Sequence, residues 1–205
     1  MRYLLLGLSF IMAACGGDSS GPAEGFGCVN DPLPTTAPGV VTVDGQVLGN
    51  ALSPGPISGA IVTACRVRPA ESLAVDTSST PGFYAVSITT GGTPVTGYLR
   101  VTSGGKVDTY AYPPRPLAGN LTTNVLTPSQ SELDLLAVAV SVTQSNTNGF
   151  IGVVVKDCFG DPVAGATVTT NPGGTVKYNS GGAPSGSATS TADGGVADGV
   201  NVPGG

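Results

Sequence analysis

Pro56-Ile57-Ser58-Gly59-Ala60-Ile61-Val62-Thr63 and Pro162-Val163-Ala164-Gly165-Ala166-Thr167-Val168-Thr169 match position by position in residue type. Each stretch follows a strand-like run, residues 45–48 in the first case and 152–155 in the second. Each also precedes a glycine-containing turn, at residues 80–83 and 192–196. This order of residues indicates that one supersecondary unit occurs twice in the chain.

The repeated motif also predicts which side chains face a core. Its glycine permits a tight turn, and the residues that follow alternate between the two faces of a strand. Val62 and Ala64 are expected to face the first core, with Ile61, Thr63 and Cys65 on the opposite face. In the second copy the same phase turns Val168 inward.

The strand, the turn, the Pro-x-x-Gly-Ala-x-Val motif and the later Asp/Gly turn resemble the carboxypeptidase regulatory-like domain, a transthyretin-like β-sandwich of about seven strands. The resemblance covers residues 40–115 and 149–205. It implies an all-β fold with two tandem Ig-like/transthyretin-like β-sandwiches and a short linking helix. In that family the segment like residues 193–203 is followed by further strands, so the second sandwich is expected to be incomplete at its C-terminus, either because the chain is a fragment, which is the favoured explanation, or because the unit itself is incomplete.

The composition favours short strands over catalysis. Gly accounts for 32 and Pro for 17 of the 205 residues, and charged residues make up only 10%. There is no His, which removes Ser-His-Asp catalysis and His-ligated zinc. The net charge of −5 argues against nucleic acid as a partner. We therefore expect a non-enzymatic protein with no catalytic residues, no metal site and no cofactor.

The N-terminus predicts an exported lipoprotein. Arg2 precedes an apolar run of about a dozen residues, which is typical of a signal peptide and too short to span a bilayer. Residues 12–15, Met-Ala-Ala-Cys, resemble a bacterial lipobox, which makes Cys15 the expected lipidation site. Gly16 allows onward transport to an outer membrane or cell surface, since Asp at that place signals retention. An ordinary secretory leader or a buried N-terminal segment remain the alternatives.

These patterns divide the chain into five parts. We expect a signal peptide over residues 1–14, a Gly/Ser/Pro-rich tether over 15–39, the first sandwich over 40–127, a helix and linker over 128–148, and the second sandwich over 149–205. Ser129 three residues before Glu132 forms a capping-box pattern and predicts a helix over residues 129–139, although residues 137–142 also alternate like a strand. Further first-sandwich strands are expected over residues 83–88, 97–102 and 107–112.

The cysteines form an odd set once Cys15 is lipidated. Cys28 precedes the first strand and Cys65 ends the second, so antiparallel strands would bring them to the same end of the sandwich. We therefore predict a Cys28–Cys65 disulfide in the oxidising compartment. Pairing of Cys158 with either Cys28 or Cys65 remains open.

The candidate ligand surface combines Tyr98, Tyr110, Tyr112 and Arg115, because aromatic rings and a guanidinium can stack on a sugar or peptide. Alternatively, these aromatics simply cover the edge of the sandwich. The favoured function is a lipid-anchored cell-envelope scaffold or adhesive surface, with membrane attachment through the lipid and a cell-surface glycan or protein as partner. A carbohydrate- or peptide-binding accessory protein is the alternative, and it gains support if the tyrosines share one sheet face.

Overall fold

The computed structural model describes residues 4–6, 25–51 and 53–204. Among them, residues 4–6 and 33–133 belong to one compact unit, whereas residues 25–32 and 134–204 belong to another. Strands hold about 40% of the described residues and helices 8%. The all-β expectation, with one short helix between the units, is confirmed.

The strands are numbered along the chain. They are β1 Leu4–Leu6, β2 Val40–Gly49, β3 Gly55–Pro56, β4 Ile61–Arg66, β5 Glu71–Thr77, β6 Phe83–Thr89, β7 Gly97–Thr102, β8 Thr109–Ala111, β9 Leu121–Thr122, β10 Val125–Leu126, β11 Gly149–Val154, β12 Thr175–Ser180, β13 Ala183–Ser185 and β14 Val196–Val202. The α-helix α1 spans Gln130–Ala139, and a short 3-10 helix spans Gly27–Asn30.

The first unit is a sandwich of two sheets. One sheet has the order β1-β8-β7-β4-β5, and the other is built around β2. β6 and β3 pair along one edge of β2, and β9 and β10 pair in parallel along the other. Buried residues of both sheets form one hydrophobic core, among them Val41, Val43, Val62, Val86 and Val101.

Strand periodicity places side chains in this core as expected. Val62 is fully buried and Ala64 is 2% exposed, whereas Ile61 on the opposite phase is 47% exposed. β7 has the predicted bounds, but β8 is shorter than predicted. It begins after Val107, whose N–H donates to Pro128 O instead of a sheet neighbour.

Part of the predicted leader lies in the first sheet. Leu4–Leu6 pair in parallel with Thr109–Ala111 of β8. Cys15 and the remaining residues of the predicted signal peptide lie outside the described ranges, so cleavage and lipidation stay predictions.

The second unit contains a four-stranded sheet of order β11-β14-β12-β13. The repeated motif at residues 162–169 forms no strand here, apart from an isolated bridge at Pro162. Val168 is still partly buried between exposed Thr167 and Thr169, which is the predicted alternation. Its backbone N–H and C=O both bond the hydroxyl of Tyr178, at 2.9 and 3.3 Å, because no neighbouring strand supplies these bonds.

A buried hydroxyl closes the repeated motif in the first unit. Ser78 Oγ accepts the N–H of Ala60 at 2.9 Å and donates to Ile57 O at 2.7 Å. The following turn contains Gly82 with φ of +84°, where a Cβ would lie 2.9 Å from Val47 O. The turn therefore requires glycine at this position.

The second unit repeats this arrangement bond for bond. Thr191 Oγ1 accepts the N–H of Ala166 at 2.9 Å and donates to Val163 O at 2.6 Å. Gly195 has φ of +65° and lies against Val155 O, in the place of Gly82. The sequence repeat is thus a repeat of the same local hydrogen-bonded structure.

Helix α1 begins with the predicted capping box. Ser129 Oγ accepts the N–H of Glu132 at 3.3 Å, and Glu132 Oε2 accepts the N–H of Ser129 at 2.6 Å. Leu133 and Val140 are buried and Leu136 is partly buried, which matches the predicted helical face. The helix continues to Ala139, so the capping signal prevails over the strand-like alternation.

Candidate ligand-binding face

Three tyrosines meet on the face of the first sheet that points away from the core. Tyr98 on β7 pairs with Cys65 on β4, and Tyr112 follows β8 on the other side of Tyr98. The Tyr98 ring centroid lies 5.6 Å from that of Tyr110 and 5.1 Å from that of Tyr112. Both distances fall in the range of favourable aromatic pairs. The cluster, defined here as the tyrosine face, is Tyr98, Tyr110 and Tyr112.

The tyrosine face arises from strand alternation on two neighbouring strands. Tyr110 and Tyr112 are two residues apart and therefore project on one side of the sheet. The register places Tyr110 directly opposite Arg100, which is two residues from Tyr98 on β7. Tyr110 is only 8% exposed, whereas Tyr98 and Tyr112 are partly exposed. Tyr98 and Tyr112 therefore offer the accessible ring surface.

Arg100 is the cation of this sheet face. Its guanidinium donates to Asp108 Oδ2 at 2.7 Å, and this hydrogen bond raises the pKa of Arg100. Its side chain is 46% exposed, so part of the guanidinium remains open to a ligand. Sequence reasoning did not select Arg100, although its two-residue spacing from Tyr98 on a predicted strand is the signal that identifies it.

Arg115, which the sequence does select, lies exposed in the loop after β8. Its role in ligand binding stays a prediction.

The Cys65 thiol and the hydroxyls of Tyr98 and Tyr112 are neutral at physiological pH. Burial raises the pKa of the Cys65 thiol, although Tyr98 and Arg100 act in the opposite direction. Burial also raises the pKa of Tyr98 and of Tyr112. The hydroxyls therefore stay protonated and act as hydrogen-bond donors, and the thiol is a weak nucleophile. This chemistry suits non-covalent binding.

The cysteine pairing differs from the prediction. Cys28 is bonded to Cys158, with an S–S distance of 2.01 Å, and Cys65 is a free thiol. The predicted Cys28–Cys65 disulfide is therefore wrong. Cys65 lies in the middle of the first sheet, opposite Tyr98. By contrast, the segment before Cys28 bonds to the turn that contains Cys158, because Gly25 O accepts the N–H of Cys158 at 2.7 Å.

The carboxylates of Asp157 and Glu132 accept hydrogen bonds from nearby backbone N–H groups. Asp157 Oδ1 accepts the N–H groups of Phe159 and Asp161, each at 2.9 Å, as expected for a turn aspartate. Glu132 is occupied by the helix cap. In the described ranges, no group of three or more His, Cys, Asp and Glu side chains could hold a metal ion. Nor does this part of the chain contain a helix long and apolar enough to cross a membrane.

No protein-family model and no curated protein sequence matches the chain. Among solved structures it is similar to GBS52, the minor pilin of Streptococcus agalactiae, with 10% identity and a TM-score of 0.32 over 44% of this chain and 45% of that one. It is also similar to the shaft pilin SpaA of Lactobacillus rhamnosus GG, with 14% identity and a TM-score of 0.31 over 67% of this chain and 63% of that one. The chain thus covers less than two thirds of either pilin, and the low TM-scores carry no inference about function.

Proposed function

We propose that this chain is a non-enzymatic, lipid-anchored protein of the cell envelope, whose first β-sandwich presents an adhesive surface. The observation that carries the proposal is the tyrosine face, in which three aromatic rings lie on one outward sheet surface. Arg100 lies on the same surface. A sheet fixes these side chains, so little conformational entropy is lost on binding. Neutral hydroxyls, flat rings and a partly exposed guanidinium together suit a glycan or a peptide.

A binding assay tests this proposal on the Cys15→Ser chain, which lacks the predicted lipid site and is offered to glycan and peptide arrays. We expect the protein to bind one class of ligand on these arrays. Binding of that ligand should fall about tenfold in Tyr98→Ala and in Tyr112→Ala, since an aromatic contact contributes about 1 kcal/mol or more. Phe83→Ala is the matched control, because Phe83 is an exposed aromatic on the other sheet. Equal binding by all three variants would refute a role for the tyrosine face.

A second candidate is a carbohydrate- or peptide-binding accessory protein that captures soluble ligand near the membrane. It gains support from the same observation, because the tyrosines share one face instead of lying scattered. The two functions differ in the form of the ligand. An adhesive surface binds immobilised arrays strongly through many weak contacts, whereas an accessory protein binds the soluble ligand with comparable affinity in calorimetry.

The lipid anchor is part of the proposal and rests on residues 12–15 of the sequence. Two or more acyl chains on Cys15 would hold the protein stably on a membrane, whereas a single chain binds only marginally. In the Cys15→Ser variant we expect the protein to leave the membrane fraction and to lose incorporation of labelled palmitate. If that variant remains in the membrane with its leader uncleaved, the pairing of Leu4–Leu6 with β8 marks a retained N-terminal strand and the anchor proposal fails.

A further inference from the structure

Two rows of side chains surround the tyrosine face on the outward surface of the first sheet. On β7, the residues on either side of Arg100 are buried in the core, so Tyr98 and Arg100 point outward. Tyr112, Tyr110 and Asp108 are spaced two residues apart and form the second row, along β8 and just before it. Antiparallel pairing sets Arg100 opposite Tyr110. The surface therefore has aromatic rings at one end and an ion pair at the other.

The ion pair of Arg100 and Asp108 can bond further polar groups. Arg100 Nη2 donates to Asp108 Oδ2 at 2.7 Å, and the two side chains are 46% and 31% exposed. A guanidinium carries five N–H donors, and a carboxylate accepts through both of its oxygens. Donors and acceptors thus lie side by side at the surface. Neighbouring hydroxyls of a sugar match this pair, because each hydroxyl both donates and accepts.

The charges of this surface favour a ligand without charge. Arg100 and Asp108 compensate each other, so an acidic ligand drawn to the guanidinium would meet the carboxylate beside it, and a basic ligand would meet the guanidinium. The net charge of −5 on the chain adds to the repulsion of acidic ligands. The tyrosine hydroxyls contribute hydrogen-bonding groups and no charge.

The backbone under the tyrosine face offers no hydrogen bonds to a ligand. β7 lies between β4 and β8, and its N–H and C=O groups pair with both neighbours. A ligand on this sheet face therefore meets side chains. A peptide lying there would bury an N–H and a C=O at nearly every residue, and such groups need partners. A sugar ring instead has C–H groups on its faces and hydroxyls around its rim, so it can pack on an aromatic ring without that cost.

We infer that the ligand of the tyrosine face is a neutral glycan, which stacks on Tyr98 and Tyr112 and bonds Arg100 and Asp108 through its hydroxyls. This inference rests on the proposed binding role of the tyrosine face and names its ligand class. From the level of Tyr112 to that of Asp108 the strand rises about 13 Å. Linked sugars, and not a single ring, therefore cover the surface from end to end.

Binding measurements on the Cys15→Ser chain test the inference. The probes are the neutral and acidic oligosaccharides of a glycan array, and calorimetry follows for those retained. We expect saturable binding of a neutral oligosaccharide, with an affinity unchanged between about 0.05 and 0.5 M NaCl, because no ligand charge is screened.

Asp108→Ala separates the neutral ligand from a charged one. It removes an acceptor for sugar hydroxyls and leaves Arg100 uncompensated. Binding of the neutral oligosaccharide should fall about tenfold, whereas binding of acidic oligosaccharides should rise. Glu71→Ala is the matched control, because it breaks an exposed ion pair of the same 2.7 Å length, with Arg66, on the neighbouring pair of strands. That variant should bind as the parent does.

Cys65 reports where the ligand binds. It lies opposite Tyr98, and in the Cys15→Ser chain it is the one thiol outside the Cys28–Cys158 disulfide. A bound glycan should shield it from N-ethylmaleimide. At a ligand concentration ten times the Kd, alkylation of Cys65 should slow about tenfold, since only the unliganded protein reacts.

The outcomes separate this inference from the proposed function. Binding of peptides alone, weakened in Tyr98→Ala, would overturn the neutral glycan and leave the adhesive surface in place. Binding of acidic oligosaccharides alone would do the same. Neutral binding that is equal in Asp108→Ala and Glu71→Ala, or that leaves the alkylation of Cys65 unchanged, would also overturn the inference. Binding of every probe equally by the parent and both tyrosine variants would remove both proposals.

Discussion

At the scale of single residues, the two buried hydroxyls of Ser78 and Thr191 join the turns of the repeated motif. Each accepts one backbone N–H and donates to one backbone C=O, and each side chain belongs to a residue only 3% exposed. Buried backbone groups need hydrogen-bond partners. Each of these hydroxyls therefore supplies the partner for one N–H and one C=O that a neighbouring strand would otherwise bond. These residues explain why the Pro-x-x-Gly-Ala stretch keeps its shape in both units.

Removing either hydroxyl should destabilise its own unit. Ser78→Ala leaves the N–H of Ala60 and the carbonyl of Ile57 without this partner, and we expect a loss of about 1–3 kcal/mol in the free energy of unfolding. Thr191→Val should have a similar effect, whereas Thr191→Ser keeps the hydroxyl and should lose much less. Urea titration measures these changes. Ser79→Ala, at an exposed hydroxyl, is the control, and an equal loss there would contradict the role of burial.

Asp198 is a second residue whose surroundings decide its behaviour. It lies on β14 between Gly152 of β11 and Lys177 of β12, and burial raises its pKa to about 7. An unfolded aspartate has a pKa of about 3.9. Between these two pH values the Asp198 carboxyl is protonated in the folded state but ionised in the unfolded state. The stability of the folded state therefore falls as the pH rises from about 4 through 7.

The substitution Asp198→Asn removes this dependence. We expect the melting temperature of the parent chain to fall relative to that of Asp198→Asn as the pH is raised from 4 to 8. Differential scanning calorimetry at fixed ionic strength measures the difference. Asp193→Asn, at an exposed aspartate in a turn, is the matched control. Parallel pH profiles for the parent chain and Asp198→Asn would contradict the raised pKa.

At the scale of elements, Glu132 connects helix α1 to the first unit. Its carboxylate accepts the N–H of Ala51 at 3.0 Å, the N–H of Ser129 at 2.6 Å and Lys106 Nζ at 3.2 Å. Burial would raise the pKa of Glu132, but the bonds from Ser129, Lys106 and Ala51 lower it to about 2. The cap therefore also positions the chain that leads into the helix.

Glu132→Gln should weaken this connection. The amide has one acceptor oxygen and no charge, so we expect a loss of about 1–3 kcal/mol at neutral pH. Because the folded pKa lies below the unfolded value, the contribution of Glu132 is present above about pH 4 and is lost as the pH falls toward 2. The difference between the two proteins should accordingly shrink on acidification. Chemical denaturation at pH 7 and pH 3 measures it, and an unchanged difference would contradict the ionised cap.

At the scale of the whole molecule, the Cys28–Cys158 disulfide is a long-range link, with a sequence separation of 130 residues. It fixes the segment around the 3-10 helix to the turn after β11. A bridge that closes so long a loop restricts the unfolded chain strongly and contributes about 2–5 kcal/mol. Part of the segment that the sequence predicts as a tether is therefore held by the second unit.

Peptide mapping under non-reducing conditions should recover a Cys28–Cys158 cross-linked peptide and a Cys65 thiol that alkylates without reduction. Cys158→Ser should lower the melting temperature markedly, since it removes the bridge. Cys65→Ser is the control and should have a small effect. A cross-linked peptide that joins Cys28 to Cys65 would restore the pairing that the sequence favours.

Features with a local origin could be predicted from the sequence. The alternation of Val62 and Ala64 determines a core face, and Ser129 with Glu132 determines a helix start, because both depend on neighbours within a few residues. The Pro-x-x-Gly-Ala motif likewise predicts its own repetition. By contrast, the local pattern of residues 162–169 predicts a strand that the structure lacks, because a strand also needs a partner.

Only the tertiary structure decided the relations between distant segments. It brought Tyr98 beside Tyr110 and Tyr112 and placed Arg100 on the same sheet face. It also paired Cys28 with Cys158, whereas the sequence favoured Cys28 with Cys65. Among the described residues, it also gave β2 strand partners along both edges and β11 a partner along one. Each outcome depends on which strands become neighbours and in what register, and pairing between residues far apart in sequence leaves no local signal. The sequence by itself determined the repeated unit and its faces, because these follow from backbone geometry over a few residues.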